Sequence, residues 1–212
     1  MAELLSSVAV GTHLFVRSDT AVWQEAVVDH IEDGKVFVRL SEAAGSSIIE
    51  IKPGEKYYPH TDDRFNSPSG YPDDLCDLTY LHEASVLHAL DCRFAVDEIY
   101  TFTGKILIAV NPFKLINGLY DDSTIVRYLE RQDDDAPHVF GVARDCYEKM
   151  TKNDQSQTIL ISGESGAGKT ESTKFAMKYL AIAGAESMDK KSPAEVKVLE
   201  SNPLLEAFGN AK

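Results

Sequence analysis

The chain has 212 residues, 43% of them apolar, and carries 34 acidic against 21 basic side chains for a formal net charge of −13. No apolar run approaches the ~18 residues that a membrane span requires, and the first residues lack the basic and apolar regions of a secretory leader, so a protein of the cytosol is expected. Clustered lysine and arginine are missing from so acidic a chain, which argues against nucleic acid as a partner.

Residues 12–51 hold four short apolar-rich runs separated by polar or glycine-containing breaks, the pattern of a small β-barrel with Trp23 and Phe37 as its expected core aromatics. The polar, turn-rich stretch 62–74 reads as a linker. A helix is expected over about 77–90, with Leu78, Leu81, Val86, Leu87 and Leu90 approximating one apolar face. Residues 101–110 read as a buried strand that Asn111-Pro112 ends, because proline cannot continue a central ladder. Helices are then expected over about 123–132 and 137–150, the second opening on a proline. The run Asp133-Asp134-Asp135 between them is a solvated loop.

Residues 158–162 read as a second buried strand, 170–183 as a helix, and 194–208 as a last helix beyond a Gly/Ser/Lys break. Three widely spaced cysteines, Cys76, Cys92 and Cys146, form no C-x-x-C pair and are expected as reduced thiols. The six histidines show no metal spacing, and His82 with His88 reads as helix surface and core. All of the net charge lies in residues 1–150, which hold 26 acids and 13 bases, whereas 151–212 hold 8 of each.

Between the second apolar run and its helix stands Gly163-Glu164-Ser165-Gly166-Ala167-Gly168-Lys169-Thr170, matching G-x-x-x-x-G-K-[ST]. A chance match in a chain of this length has odds of roughly one in a hundred, and the strand-before, helix-after context lowers them further. Successive backbone N–H groups in such a loop wrap a triphosphate, and the following helix directs its positive end at the same anion. Lys169 is placed to neutralise the β- and γ-phosphates as the catalytic cation, and the Thr170 hydroxyl to ligate Mg²⁺. Gly163 and Gly168 are needed where a Cβ would strike phosphate or force a disallowed backbone angle. ATP and Mg²⁺ are therefore the expected cofactors. No carboxylate ends a further strand as a Walker B group would, so the sequence predicts an incomplete α/β phosphate-loop NTPase core preceded by the small barrel.

The loop with its continuation Glu171-Ser172-Thr173-Lys174 resembles the myosin motor form. Leu78-Thr79-Tyr80-Leu81-His82-Glu83 resembles the start of the myosin motor core. Residues 99–113, from Ile99-Tyr100-Thr101 to Asn111-Pro112-Phe113, resemble the strand entering the adenine loop, and 199–212 resemble the run-up to switch I. Wording and spacing look closest to the class V and class XI unconventional myosins. The resemblance implies an SH3-like barrel within residues 1–61, a linker at 62–76, and the N-terminal part of a motor domain at 77–212 that stops before switch I. It implies an adenine pocket lined by Asn111, Pro112 and Tyr120, although Asn117 stands where the family usually has proline.

In a complete head it further implies actin filaments as the partner, light chains or calmodulin on a neck outside this chain, and a place in the actin cytoskeleton. ATP hydrolysis would be coupled there to filament movement by switches that close on the γ-phosphate and reopen when it leaves. A non-motor nucleotide-binding or protein-interaction module is the alternative. A small phosphotransferase would need a second pocket and a Walker B strand that the sequence does not offer.

Overall fold

In the computed structural model, which describes residues 8–19, 21–41, 47–61, 65–132 and 136–184, the N-terminal runs form a five-stranded antiparallel sheet. Its strands are β1 (His13–Ser18), β2 (Val22–Glu32), β3 (Lys35–Leu40), β4 (Ile48–Ile51) and β5 (Tyr57–Pro59), in the order β4-β3-β2-β1-β5. Asp33 and Gly34 both take positive φ, 50° and 74°, between Glu32 and Lys35. That is the primed two-residue turn whose twist matches the flanking strands, and it sets the β2–β3 register.

Period-two alternation buries Leu14 and Val16 of β1, Ala26 and Val28 of β2, Val36 and Val38 of β3, and Ile51 of β4 in one cluster. Phe15 and Trp23 lie in a second cluster with Ala84 and half-buried Tyr58. Trp23 is thus a core residue as expected, with the Arg17 guanidinium 5.2 Å from its ring centroid. Phe37 is not. It is half-buried and stacks on His30 at 4.4 Å, because the alternation that buries Val36 and Val38 turns residue 37 to the other side of the sheet.

A single 3₁₀ turn at Leu75–Asp77 precedes α1 (Glu83–Ala95). The helix begins six residues later than the sequence suggests, since His82 and Ser85 close a reciprocal capping box there. Ser85 N–H donates to His82 Nδ1 at 3.1 Å, so the remaining ring proton sits on Nε2 and donates to the Pro59 carbonyl at 2.8 Å. The buried face of α1 is made by Ala84, Ser85, Ala89 and Arg93, while Leu81 and Leu87 are exposed. Small residues let the helix axis come close, which a leucine face would not. The stretch read as a linker is packed from residue 65 onward: Tyr71 and Leu75 are buried, and Arg93, 2% exposed, donates to the Tyr71 and Pro72 carbonyls and pairs with Asp73.

The chain divides into two compact units, one ending at Glu98 and the other starting at Ile99. In the second, the expected strand over 101–110 is a hairpin of β6 (Tyr100–Thr103) and β7 (Ile106–Ala109), turned at Gly104 with φ 60°. Ile106 is 65% exposed, so β7 is not the fully buried strand its composition suggests. Among the described residues three helices follow: α2 (Asp122–Leu129), α3 (Val139–Asn153) and α4 (Lys169–Ala183). Tyr100, Ile125, Tyr128, Phe140, Ala143, Ala176 and Tyr179 are the main members of their shared core.

Helix α3 is capped by His138, not by Pro137. Its Nδ1 accepts from Phe140 N–H at 3.0 Å and its Nε2 donates to the Leu119 carbonyl at 3.1 Å. Burial holds this imidazole neutral, with its pKa lowered to about 4. The expected strand at 158–162 pairs with no other strand among the described residues, and Leu160 is 87% exposed. The helix expected at 194–208 lies outside the described residues, as does the run 133–135.

Candidate nucleotide site

The phosphate-loop sequence forms a tight turn into the N-terminus of α4. Gly166 and Gly168 take φ of 79° and 94°, the left-handed region that L side chains rarely enter. Gly168 is the residue immediately before the helix, where a Cβ would make only an ordinary contact with Asn111, at 3.9 Å, so the backbone angle is what asks for glycine. Gly163 is required for a different reason: a Cβ would stand 3.2 Å from that of Ala167 across the loop. The sequence reasoning singled out 163 and 168. It missed the conformational demand at 166, where an x position of the motif gives no signal.

Lys169 folds back over the loop. Its Nζ donates to the carbonyls of Gly163 and Glu164, each at 2.8 Å, and the Glu164 carbonyl also accepts from Ala167 N–H at 3.2 Å. The ammonium is thereby centred above the loop backbone instead of extending into solvent. Thr170 is exposed in the first turn of α4, where the leading backbone N–H groups have no intrahelical acceptor. The neighbouring hydroxyl of Thr173 turns inward to the Lys169 carbonyl at 2.9 Å. Ser165 and Ala167 are exposed on the loop.

Asn111 joins the loop to the hairpin exit. Its Nδ2 donates to the Gly166 carbonyl at 2.8 Å, and its Oδ1 accepts from Phe113 N–H at 2.9 Å. Both functions of the amide are engaged, so Asn111 and Pro112 stand beside residues 166–168. Tyr120 is reached by another route. Its ring stacks on Phe175 of α4 at 3.5 Å and 6°, its hydroxyl meets that of Tyr100 at 2.8 Å, and Lys178 Nζ donates to its carbonyl at 3.3 Å.

Burial raises the pKa of both tyrosines, with the Tyr120 phenol also raised by the nearby Glu171 carboxylate, so the pair is a neutral hydrogen bond. Tyr120 is therefore a packing residue of this core as well as a candidate site residue. Phe175, its platform, read only as one more apolar position on a helix. Lys178 reaches Asp122 at 2.8 Å, and Lys174 pairs with Glu171 at 2.8 Å, which leaves Lys169 as the cation centred on the loop.

These residues suit a polyanion: a lysine ammonium over a glycine turn, amides of a helix N-terminus, and a hydroxyl in the first turn. No cluster of three or more His, Cys, Asp or Glu side chains able to hold a metal occurs among the described residues. All three cysteines are unpaired, and no described helix is long and apolar enough to cross a membrane.

Residues 72–212 match the family described as myosin head (motor domain). Myosin-7 of Arabidopsis thaliana is 42% identical over 98% of this chain, and Myosin-13 of the same plant is 43% identical over 98%. Myosin-11 is 42% identical over 97%. The chain spans 12%, 14% and 13% of those three proteins respectively, so it corresponds to a small part of each. With motif, family match and near full-length similarity in agreement, the chain belongs to the myosin head (motor domain) family.

Proposed function

We propose that residues 163–170 bind Mg-ATP and that the chain is the nucleotide-holding portion of an actin-based motor ATPase. The observation that carries this reading is the Lys169 ammonium held over Gly163 and Glu164 at the N-terminus of α4. In this reading the phosphate charge gathers beside that ammonium. The first-turn amides and the helix dipole add fixed positive potential that needs no rearrangement when the anion arrives. Thr170 would offer its hydroxyl oxygen to Mg²⁺, a cation that prefers oxygen ligands. The bound metal would neutralise charge on the phosphates.

In this reading Asn111, Pro112 and Tyr120 receive the adenine, and Asn111 couples that pocket to the loop through the Gly166 carbonyl. Residues 1–61 act as an SH3-like module, 62–76 as the connection, and 77–212 as the first part of the motor core. Similarity to the Arabidopsis proteins supports a class V or XI type of motor working on actin filaments in the cytoplasm, with light chains or calmodulin on a neck elsewhere.

The test is Lys169→Ala in the complete motor. ATP turnover is expected to fall by at least about 10²-fold, the scale lost when one preorganised charge-stabilising group is removed. Retained turnover with an intact circular dichroism spectrum would overturn the assignment.

A further inference from the structure

Away from the phosphate loop, the first compact unit holds a cluster of ionisable side chains drawn from three segments. Glu25 of β2 stands between His60, just past β5, and His88 of α1. Its Oε1 lies 3.1 Å from His60 Nε2 and 3.0 Å from His88 Nε2. Cys92, one turn along α1, places its sulfur 3.6 Å from the same His88 nitrogen. All of this packs on the fully buried Phe15 ring, whose centroid is 4.3 Å from that of His60 and 5.3 Å from that of His88. A water-sized cavity of about 20 Å³ borders both imidazoles.

We propose that Glu25, His60 and His88 form a latch that fastens α1 to the five-stranded sheet, operated by the His88 proton: tight while the His88 imidazole carries charge and loosened as it loses it. Both rings approach the carboxylate through Nε2. When neutral, His88 can still donate that N–H to the Glu25 carboxylate, so the hydrogen bond survives and what is lost is the attraction between imidazolium and carboxylate. The latch therefore weakens without springing open.

The surroundings favour the charged form. Burial alone lowers the basicity of His88, yet the contacts with Cys92 and Glu25 outweigh it and raise its pKa to about 9, while the bonds from His60 and His88 hold the Glu25 carboxyl far below the usual range. Among the described residues, the other titratable groups facing the cluster are His13 on β1, His82 at the start of α1, Tyr80, which lines the same cavity, and Tyr71, whose ring lies 5.3 Å from that of His88. His82 is held by the Pro59 carbonyl and the Ser85 amide, so it does not compete for Glu25, and Glu83 accepts from Trp23 Nε1 at 3.3 Å.

The sign follows from linkage. A histidine with a raised folded-state pKa stabilises fully below its unfolded value near 6.5 and loses that contribution as pH climbs towards 9; Glu25, with a lowered one, contributes above about 4.5. The latch is at full strength between roughly pH 4.5 and 6.5 and weakens across the physiological range above it.

The test uses the full chain, with the His88 ring proton followed by NMR from pH 5 to 10 and amide exchange in α1 measured at pH 6.5 and 9 after correction for the intrinsic rate. His88 is expected to titrate near pH 9 in the wild type and at a lower pH in Glu25→Gln, which removes the share of the rise that the carboxylate supplies beside Cys92. Protection of the α1 amides should fall by up to about 80-fold over the pH interval in the wild type, the loss that linkage gives for a pKa raised from about 6.5 to about 9, and by less in Glu25→Gln. A wild-type His88 titrating at or below 6.5, or α1 protection independent of pH in the wild type, would overturn the latch whether or not the variant folds.

Discussion

At the scale of single residues, the phosphate loop shows how one sequence motif imposes two different demands on its glycines. Gly163 is a matter of space, whereas Gly166 and Gly168 are matters of backbone angle. Gly168→Ala is expected to cost about 1–2 kcal/mol of local stability from the positive φ. It should also reduce affinity for a fluorescent ATP analogue, because the strained turn sets where the first amides of α4 point. Equal affinity in a nucleotide titration of wild type and variant would show that the loop tolerates a β-carbon there.

Lys169 and Thr170 were singled out from the motif because phosphate chemistry needs those residue types at that spacing, and both stand in the first turn of α4. Phe175 was not: stacking under Tyr120 depends on how far α4 has turned when it passes the aromatic, which no linear pattern contains.

At the scale of elements, caps decided most of the differences between expectation and structure. Helices α1 and α3 both begin at a histidine whose Nδ1 accepts a backbone N–H, a role usually filled by Ser, Thr, Asp or Asn, and so both starts were placed too early from apolar spacing and Pro137. The strand over 101–110 was correctly seen as extended and apolar, but the reversal at Gly104 was overlooked and one strand became two.

The His138 cap also makes a pH prediction. Its pKa is depressed to about 4 in the folded chain, so the unfolded chain binds an extra proton between about pH 4 and 6.5. Stability from this group is present above 6.5 and is lost as pH falls towards 4, by roughly 2–4 kcal/mol in all. Urea titrations at pH 7 and 4.5 should show that loss in the wild type and a smaller one in His138→Asn, which keeps a capping acceptor without the titration. An equal loss in both would place the acid sensitivity elsewhere.

At the scale of the whole molecule, the sheet of the first unit was legible because alternation records the residues of its larger cluster, although Phe15 and Trp23 are buried in a second one. The second unit was harder, since its apolar segments are not all covered within the described residues. Leu160 and Leu115 are 87% and 92% exposed, and an open groove of about 500 Å³ runs between α3 and α4, floored by Ile159, Ile161, Met177 and Leu180. An apolar surface of this kind favours association. The 212-residue chain on its own is expected to bind the dye ANS strongly and to sediment as more than a monomer at micromolar concentration; a monodisperse monomer with no dye enhancement would contradict this.

The loop from Asn111 to Gly118 has a further consequence, for how the protein ages. Asparagine side chains lose their amide when the next residue's backbone nitrogen attacks them. Proline has no N–H to make that attack productive, so Asn111, the tether to the phosphate loop, is chemically protected by Pro112. Asn117 is exposed and precedes Gly118, which has φ of 79° and no side chain to obstruct the reaction. Time will therefore add negative charge to the tip of this loop while its root keeps the amide that holds the site together.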